Sequence, residues 1–147
     1  MKHTKQGHDF TEIVLQVFKL SGLLTTEGDR MTAAYGLSSA RWKILGSLSR
    51  SEVPLTVPQI ARVMGQTRQA VQRLVDVMHK DGLLTLLSNP HHKRAKLVAL
   101  TAEGKAVFAK LDEMQIVWAN RHSSHMSETD LETTLSTLKK ISNLFES

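Results

Sequence analysis

The sequence predicts a mainly α-helical fold with a small antiparallel sheet of two or three strands, arranged as a winged helix-turn-helix. Two short capped helices follow each other across a glycine-containing turn in residues 56–80, which is the helix-turn-helix pattern. Two short apolar runs come next and flank a basic, proline-containing loop at residues 88–95. Longer helices with apolar stripes are predicted on both sides of this unit.

The length and amino-acid composition of the chain exclude several classes of protein. At 147 residues and 41% apolar composition, the chain suits one folded domain with room for an oligomerisation element. It contains no cysteine, which excludes disulfides, thiolate metal sites and thiol redox sensors. The N-terminal residues lack the apolar core of a signal peptide, and no run is long enough to span a bilayer. We therefore expect a soluble cytoplasmic protein without a membrane partner.

The positive charge is concentrated in the middle of the chain. Residues 58–105 hold eight Lys/Arg against three Asp/Glu, so this segment alone equals the net charge of +5. The residues before it carry a net +2 and those after it a net −2. A local positive field suits a polyanion such as double-stranded DNA, although a solvated basic face is the alternative.

The first predicted helix covers residues 9 to about 31 and has apolar residues on more than one side. Its stripe at helical spacing consists of Phe10, Ile13, Val14, Val17, Leu20 and Leu24. Gly22 and Gly28 predict a bend or an early end. A second helix over residues 40–48 has Ser38 or Ser39 as its cap, and Pro54 marks the loop that follows.

The helix-turn-helix has clear boundaries in the sequence. Thr56 and Gln59 have the spacing of a capping box, and the helix they begin ends at Gly65. Thr67 caps a second helix over residues 68–80, and Gly82 suits the position after its end.

Strands are predicted over residues 83–87 and 96–100, and two helices complete the chain. Thr101 caps a helix that reaches about residue 120, and Ser127 caps the last one. The first and last helices have stripes that a second copy of the chain would cover, which predicts a homodimer; a monomeric core is the alternative. The predicted interface residues are Phe10, Ile13, Val17, Leu131, Leu135, Leu138, Ile141 and Phe145.

We accordingly predict three regions. Residues 1–36 form an N-terminal dimerisation helix, residues 37–101 form the DNA-binding winged helix-turn-helix, and residues 102–147 form C-terminal dimerisation helices.

The second helix of the motif is the predicted recognition helix. One side carries apolar residues for the core, and the other carries Arg and Gln side chains that can pair with guanine and adenine edges or with phosphate. Its predicted DNA-binding residues are Thr67, Arg68, Gln69, Gln72, Arg73 and Lys80. Thr56 and Arg62 of the preceding helix are predicted to contact DNA as well. The alternative is an ordinary solvated face of an amphipathic helix.

Asp76 is out of place on a surface that faces DNA. Three explanations are open: it is lifted off the DNA, it accepts from cytosine N4, or it pairs with Lys80 four residues later.

The loop between the strands is the predicted wing. His91, His92, Lys93 and Arg94 stand near its tip, where a cationic finger suits the negative potential of a minor groove. A solvated turn is the alternative.

In their order and amino-acid sequence, these segments resemble the MarR family of bacterial transcription regulators. The resemblance is carried by LSSARWKIL, by TVPQIARVMGQTRQAVQRLVDVMHKDGLL and by NPHHKRAKLVALTAEGKAV. It covers residues 10–108 well and the last helix loosely. It implies a homodimer with interlocked first and last helices, bound to a near-palindromic operator. It also implies that Arg94 probes the minor groove, and that the protein regulates transcription, with repression the expected sign.

The wing departs from the family pattern Asp-Pro-x-Asp-Arg-Arg, because Asn89 and His92 occupy the two acidic positions. In the family the second acid holds the tip arginine, so we expect a looser wing here. We also hypothesise that DNA affinity rises at acidic pH as His91 and His92 gain charge.

The resemblance implies a small apolar or aromatic effector, with Met31, Tyr35 and Trp42 as lining residues; ordinary core positions are the alternative. His122 and His125 have a spacing that a metal could use, but surface histidines at a helix end are favoured, and we expect no metal and no cofactor. No catalytic motif is present, so we expect no enzyme. A winged-helix module that binds protein instead of DNA is the main alternative function.

Overall fold

The computed structural model describes residues 1–146, and these form six α-helices and one two-stranded sheet. The helices are α1 (Lys5–Thr32), α2 (Ser39–Arg50), α3 (Val57–Met64), α4 (Arg68–Lys80), α5 (Ala102–Ser123) and α6 (Glu128–Phe145). The strands are β1 (Leu84–Leu87) and β2 (Leu97–Leu100), and a short 3-10 turn covers Ala33–Tyr35. This architecture confirms the predicted mainly helical winged fold. No helix in the described range is both long and apolar enough to cross a membrane.

The sheet is a single antiparallel hairpin with one extra bridge. Leu84 pairs with Leu100 and Leu87 with Leu97, so the strands are in register without a bulge. Leu55, before α3, forms an isolated antiparallel bridge with Val98. The prediction of two or three strands is met by two strands and this single bridge.

Contacts within the chain divide it into two compact units, residues 1–111 and the residues from 112 onward. The first unit contains the apolar core, which α2, α3, α4, the sheet and the first half of α5 build together. Its fully buried large side chains include Ile44, Leu45, Ile60, Val71, Val75, Met78, Leu84, Val98 and Leu111. In the second unit, none of the described residues is fully buried.

Helix α1 begins earlier than predicted and continues through Gly22 and Gly28. It starts at Lys5 because the Thr4 side chain accepts from the amide of Gly7. Gly28 does not end the helix; it is the point where α2 approaches, since a Cβ there would lie 2.8 Å from Ser39 Oγ. Asp29 Oδ1 then accepts from the Ser39 amide at 2.7 Å, so α1 helps to cap α2.

Thr101 joins the end of the sheet to the start of α5. Its hydroxyl donates to the Gly82 carbonyl at 2.6 Å and accepts from the Gly104 amide at 3.0 Å. Gly104 is buried, and a Cβ at this position would collide with the Leu83 carbonyl. The segment from Leu100 to Gly104 therefore requires both the threonine hydroxyl and the glycine, which fixes the base of the wing.

Candidate nucleic-acid interface

Two capped helices separated by three residues form the framework of the site. Thr56 Oγ1 accepts from the Gln59 amide, and the Gln59 side chain accepts from the Thr56 amide at 2.9 Å, which completes the predicted capping box. Gly65 ends α3 with φ +66°, a left-handed conformation that suits glycine. Thr67 Oγ1 then accepts from the Ala70 amide at 3.1 Å and starts α4 where the sequence predicts.

Helix α4 is held in place by its apolar side. Val71, Val75 and Met78 are fully buried, and the helix packs against α3 and β1. Burial of one side leaves the polar side chains on the other in solvent. All six residues predicted for the recognition helix are exposed: Thr67, Arg68, Gln69, Gln72, Arg73 and Lys80.

A cleft of about 500 Å³ lies where α4 faces the wing and the start of α3. Three of the predicted α4 residues line it, together with Arg94 from the wing. The lining residues are Val57, Pro58, Arg68, Gln69, Gln72, Val75, Leu86, Arg94, Ala95, Lys96 and Val98. Three of these side chains are cationic and none is acidic, so the cleft favours an anionic occupant.

Lys96 is a cleft residue that was not among the predicted DNA contacts. It precedes β2 and is exposed. Sequence reasoning assigned it to a strand by its position beside an apolar run. Strand periodicity could not have placed it beside Arg94, because Arg94 and Ala95 lie in the turn before β2.

Asp76 bonds to Gln72, the residue one turn before it. Gln72 Nε2 donates to Asp76 Oδ1 at 2.8 Å. The alternative pairing with Lys80 is not made: the ion pairs among the described residues are Lys5–Asp9, His8–Asp9 and Arg30–Glu27. Asp76 and Gln72 therefore form a polar pair on the exposed side of α4.

The wing tip is closed by hydrogen bonds. Asn89 Nδ2 donates to the Ala95 carbonyl, and Asn89 Oδ1 accepts from the His91 amide, both at 3.0 Å. His92 Nδ1 accepts from the Ala95 amide at 3.2 Å, and the His92 amide donates to the Asn89 carbonyl at 3.3 Å. Asn89 and His92 thus bond to the backbone of the wing instead of holding an arginine, and the looser wing stays a prediction.

The remaining predicted contacts lie outside the lining of the cleft. Arg73 and Lys80 are on exposed positions of α4, and Arg62 is exposed in the last turn of α3. His91 and Lys93 are exposed at the wing tip. Four of these five exposed side chains are fixed cations, which suit contacts to a phosphate backbone.

Large apolar side chains are exposed on the first and last helices. On α1 these are Ile13, Leu15, Val17, Phe18, Leu20, Leu23 and Leu24. On α6 they are Leu131, Leu135, Leu138, Leu144 and Phe145, while Phe10 and Ile141 are half-buried. Solvent-exposed apolar stripes of this size are typical of surfaces that meet another protein chain.

The residues predicted for an effector site differ in how far they are buried. Met31 is buried, Trp42 is half-buried and Tyr35 is exposed.

The predicted histidine pair lies in the C-terminal unit. The His122 ring packs on Trp118, with ring centroids 4.7 Å apart, and its Nδ1 lies 2.8 Å from the Trp118 carbonyl. In residues 1–146, no three His, Asp or Glu side chains are grouped as metal ligands would be.

Known sequences similar to this chain include a family of transcription regulators. Residues 35–95 match the family model described as the MarR family. An uncharacterized protein of Mycobacterium bovis is 36% identical over 133 residues, which covers 90% of this chain and 92% of that protein. The transcriptional activatory protein BadR of Rhodopseudomonas palustris is 28% identical over 88% of this chain and 75% of its own length.

Solved structures share the fold. The crystal structure of CouR from Rhodococcus jostii RHA1, bound to p-coumaroyl-CoA, superposes with a TM-score of 0.79. The match covers 92% of this chain and 93% of CouR at 20% sequence identity. At that identity the similarity establishes the winged fold, including the helices outside residues 35–95.

Proposed function

The chain belongs to the MarR family of DNA-binding transcription regulators, and we propose that it is a repressor that binds a near-palindromic operator as a homodimer. The observation that carries this proposal is the convergence of Arg68, Gln69 and Gln72 with Arg94 and Lys96 in one cleft. Two elements distant in sequence place their cations and amides side by side. Such a surface can read base edges with one element and grip the backbone with the other.

Each side chain has a role that follows from its position on α4. Arg68, Gln69, Gln72 and Arg73 lie in the first two turns, which reach deepest into a major groove in helix-turn-helix proteins. Arg and Gln are the side chains that pair bidentately with guanine and adenine. Lys80, at the end of the helix, is assigned to phosphate. Thr67 is primarily the cap, and its position at the helix N-terminus puts it next to the DNA.

The two flanking elements complete the contact with the backbone. On α3, Thr56 and Arg62 are assigned to phosphates on one side of the groove. On the wing, Arg94 is assigned to the minor groove, with His91, His92 and Lys93 against phosphates at the tip. Side chains of Arg are attracted to narrow minor grooves by the negative potential there.

Homodimer formation is supported by the uncovered apolar stripes of α1 and α6. We assign the interface to Phe10, Ile13, Val17, Leu131, Leu135, Leu138, Ile141 and Phe145, with Phe18 of α1 added because it is exposed. A two-fold dimer would present two recognition helices to half-sites about one helical turn, ~34 Å, apart. In this arrangement residues 1–36 and 102–147 hold the dimer and residues 37–101 bind DNA.

An effector and the cellular location complete the proposal. CouR was crystallised bound to p-coumaroyl-CoA, whose acyl group is aromatic, and this supports the aromatic form of the expected small apolar or aromatic effector, bound near Met31, Tyr35 and Trp42. BadR is an activator, so expression measurements are needed to decide whether this chain represses or activates its genes.

Because the proposed ligand of this chain is chromosomal DNA, we place the protein in the cytoplasm. BadR is described as a transcriptional activatory protein and not as an enzyme, which supports the expectation of no catalysis.

Genomic footprinting followed by band-shift on the recovered sites tests the proposal. We expect a two-fold symmetric footprint and an affinity that falls steeply with salt, because phosphate neutralisation releases counterions. A protein-interaction module would recover no DNA and show no salt-dependent shift. Transcript levels of the genes beside each site, with and without the protein, then give the sign.

A further inference from the structure

We propose that Asp76 is a positioning residue that orients the amide of Gln72 to read a base with an exocyclic amino group. The base that fits best is adenine. This inference rests on the proposed operator binding and adds a base preference at one position. It follows from the 2.8 Å hydrogen bond between Gln72 Nε2 and Asp76 Oδ1 on the exposed side of α4.

Chemistry determines which end of the Gln72 amide faces Asp76. A carboxylate has no hydrogen to donate, so it can bond only to the NH₂ end of an amide. The opposite orientation would place Oε1 against the carboxylate, acceptor against acceptor. Asp76 therefore removes the two-fold ambiguity that a free glutamine amide has.

The atoms left over define what the pair can read. Gln72 keeps Oε1 as an acceptor and one hydrogen on Nε2, and Asp76 keeps acceptor capacity on Oδ2. Adenine presents N6–H as a donor and N7 as an acceptor in the major groove, which matches Oε1 and Nε2 together. Cytosine presents only the N4–H donor, so it satisfies Oε1 alone. Guanine and thymine present only acceptors at these positions, so they can take the remaining Nε2 hydrogen but leave Oε1 without a donor.

The location of the pair supports contact with a base. Gln72 lines the cleft beside Arg68 and Gln69, in the second turn of α4. Asp76 is one turn further from the helix N-terminus and does not line the cleft, so it acts through Gln72. Its negative charge also repels phosphate, which lowers affinity for DNA of any sequence.

These two effects have opposite signs when Asp76 is removed. Asp76→Ala should raise affinity for random DNA severalfold, because a repulsive charge is lost. The same substitution should lower discrimination at one base pair, because the Gln72 amide is free to rotate. A side chain that only supported the helix would not separate the two measurements in this way.

The experiment begins with the operator that the wild-type protein selects from a random DNA library. Each position of one half-site is then replaced by the other three bases, and binding of every duplex is measured by fluorescence anisotropy. The position read by Gln72 is the one at which Gln72→Ala loses base preference. The variants are Asp76→Ala, Asp76→Glu, Gln72→Ala and the double substitution. Asp81→Ala is the control, because it removes one exposed negative charge just after the same helix.

For the wild type we expect roughly tenfold preference for adenine over guanine or thymine at that position, the usual range for a bidentate contact. Asp76→Ala should reduce this to about twofold, and Asp76→Glu, which keeps a carboxylate acceptor, should restore most of it. The double variant should discriminate no worse than Gln72→Ala, and Asp81→Ala should leave the preference unchanged. Wild-type preference in folded Asp76→Ala, or guanine or thymine at the Gln72 position, would overturn the inference while operator binding stands. Failure of the wild type to select any DNA would instead contradict the proposed function.

Discussion

His92 Nδ1 accepts a hydrogen bond from the Ala95 amide at 3.2 Å, so the wing tip depends on an uncharged nitrogen at this position. A protonated imidazole has donors on both nitrogens and cannot accept. Acidification therefore has two effects on His92, since it adds a charge that attracts phosphate and removes a bond that shapes the wing. His91 contributes its backbone amide to the tip, so protonation of its ring leaves the bond to Asn89 intact.

We predict that operator affinity rises on acidification, because each imidazole that gains a proton adds a positive charge that attracts phosphate. Most of the rise should come from His91, because the charge gained by His92 is offset by a lost hydrogen bond of about 1 kcal/mol. His91→Gln should flatten the pH profile more than His92→Gln. Band-shift titrations at fixed ionic strength measure this, and equal profiles for wild type and the double Gln variant would contradict it.

Gly104→Ala should destabilise the protein, because the added Cβ collides with the backbone carbonyl of Leu83. Overpacking at a buried site costs about 1–3 kcal/mol, and backbone cannot rotate aside as a side chain can. Gly46→Ala is the matched control, since a Cβ there meets Phe108 only at ordinary contact distance. It should leave stability unchanged or raise it by up to about 1 kcal/mol. Thermal unfolding of both variants tests this prediction. Equal melting temperatures would be inconsistent with the close approach of Gly104 to the Leu83 carbonyl.

Leu135→Glu should weaken dimer formation and operator binding together. Leu135 is exposed on α6 within the apolar stripe, and a charge there would have to be buried in the proposed interface. Thr133→Glu provides the control, because position 133 lies off the stripe on the same helix. Sedimentation velocity of both variants should show a smaller species only for Leu135→Glu. A dimer of unchanged stability would remove α6 from the interface.

The local signals in the sequence were sufficient for most of the fold. Thr56, Gln59 and Thr67 begin the two helices of the motif at the predicted residues, because a cap depends on neighbours three residues away. Long-range partners were not predictable in the same way. The bond from the Ser39 amide to Asp29 spans ten residues and two helices, and no local pattern indicates it.

The candidate site was predicted less completely than the fold. Asp76 has polar neighbours one turn before and one turn after it, so spacing alone could not choose between Gln72 and Lys80. Arg94 was expected at the wing, but its position beside Arg68 depends on how the hairpin packs against α4. Lys96 was missed because an apolar run next to it dominated the strand prediction.

If α4 and the wing bind DNA together, cations of the wing contribute to the salt dependence of operator binding. Arg94→Ala should weaken binding and reduce the slope of log affinity against log salt by about 1 for each subunit, because a cation in the minor groove, which displaces one counterion from the DNA, is lost. Lys110→Ala, an exposed lysine outside the basic segment of residues 58–105, should leave the slope unchanged. We predict a steep wild-type slope that Arg94→Ala lowers and Lys110→Ala does not. An operator affinity independent of salt, or equal slopes for all three proteins, would contradict it.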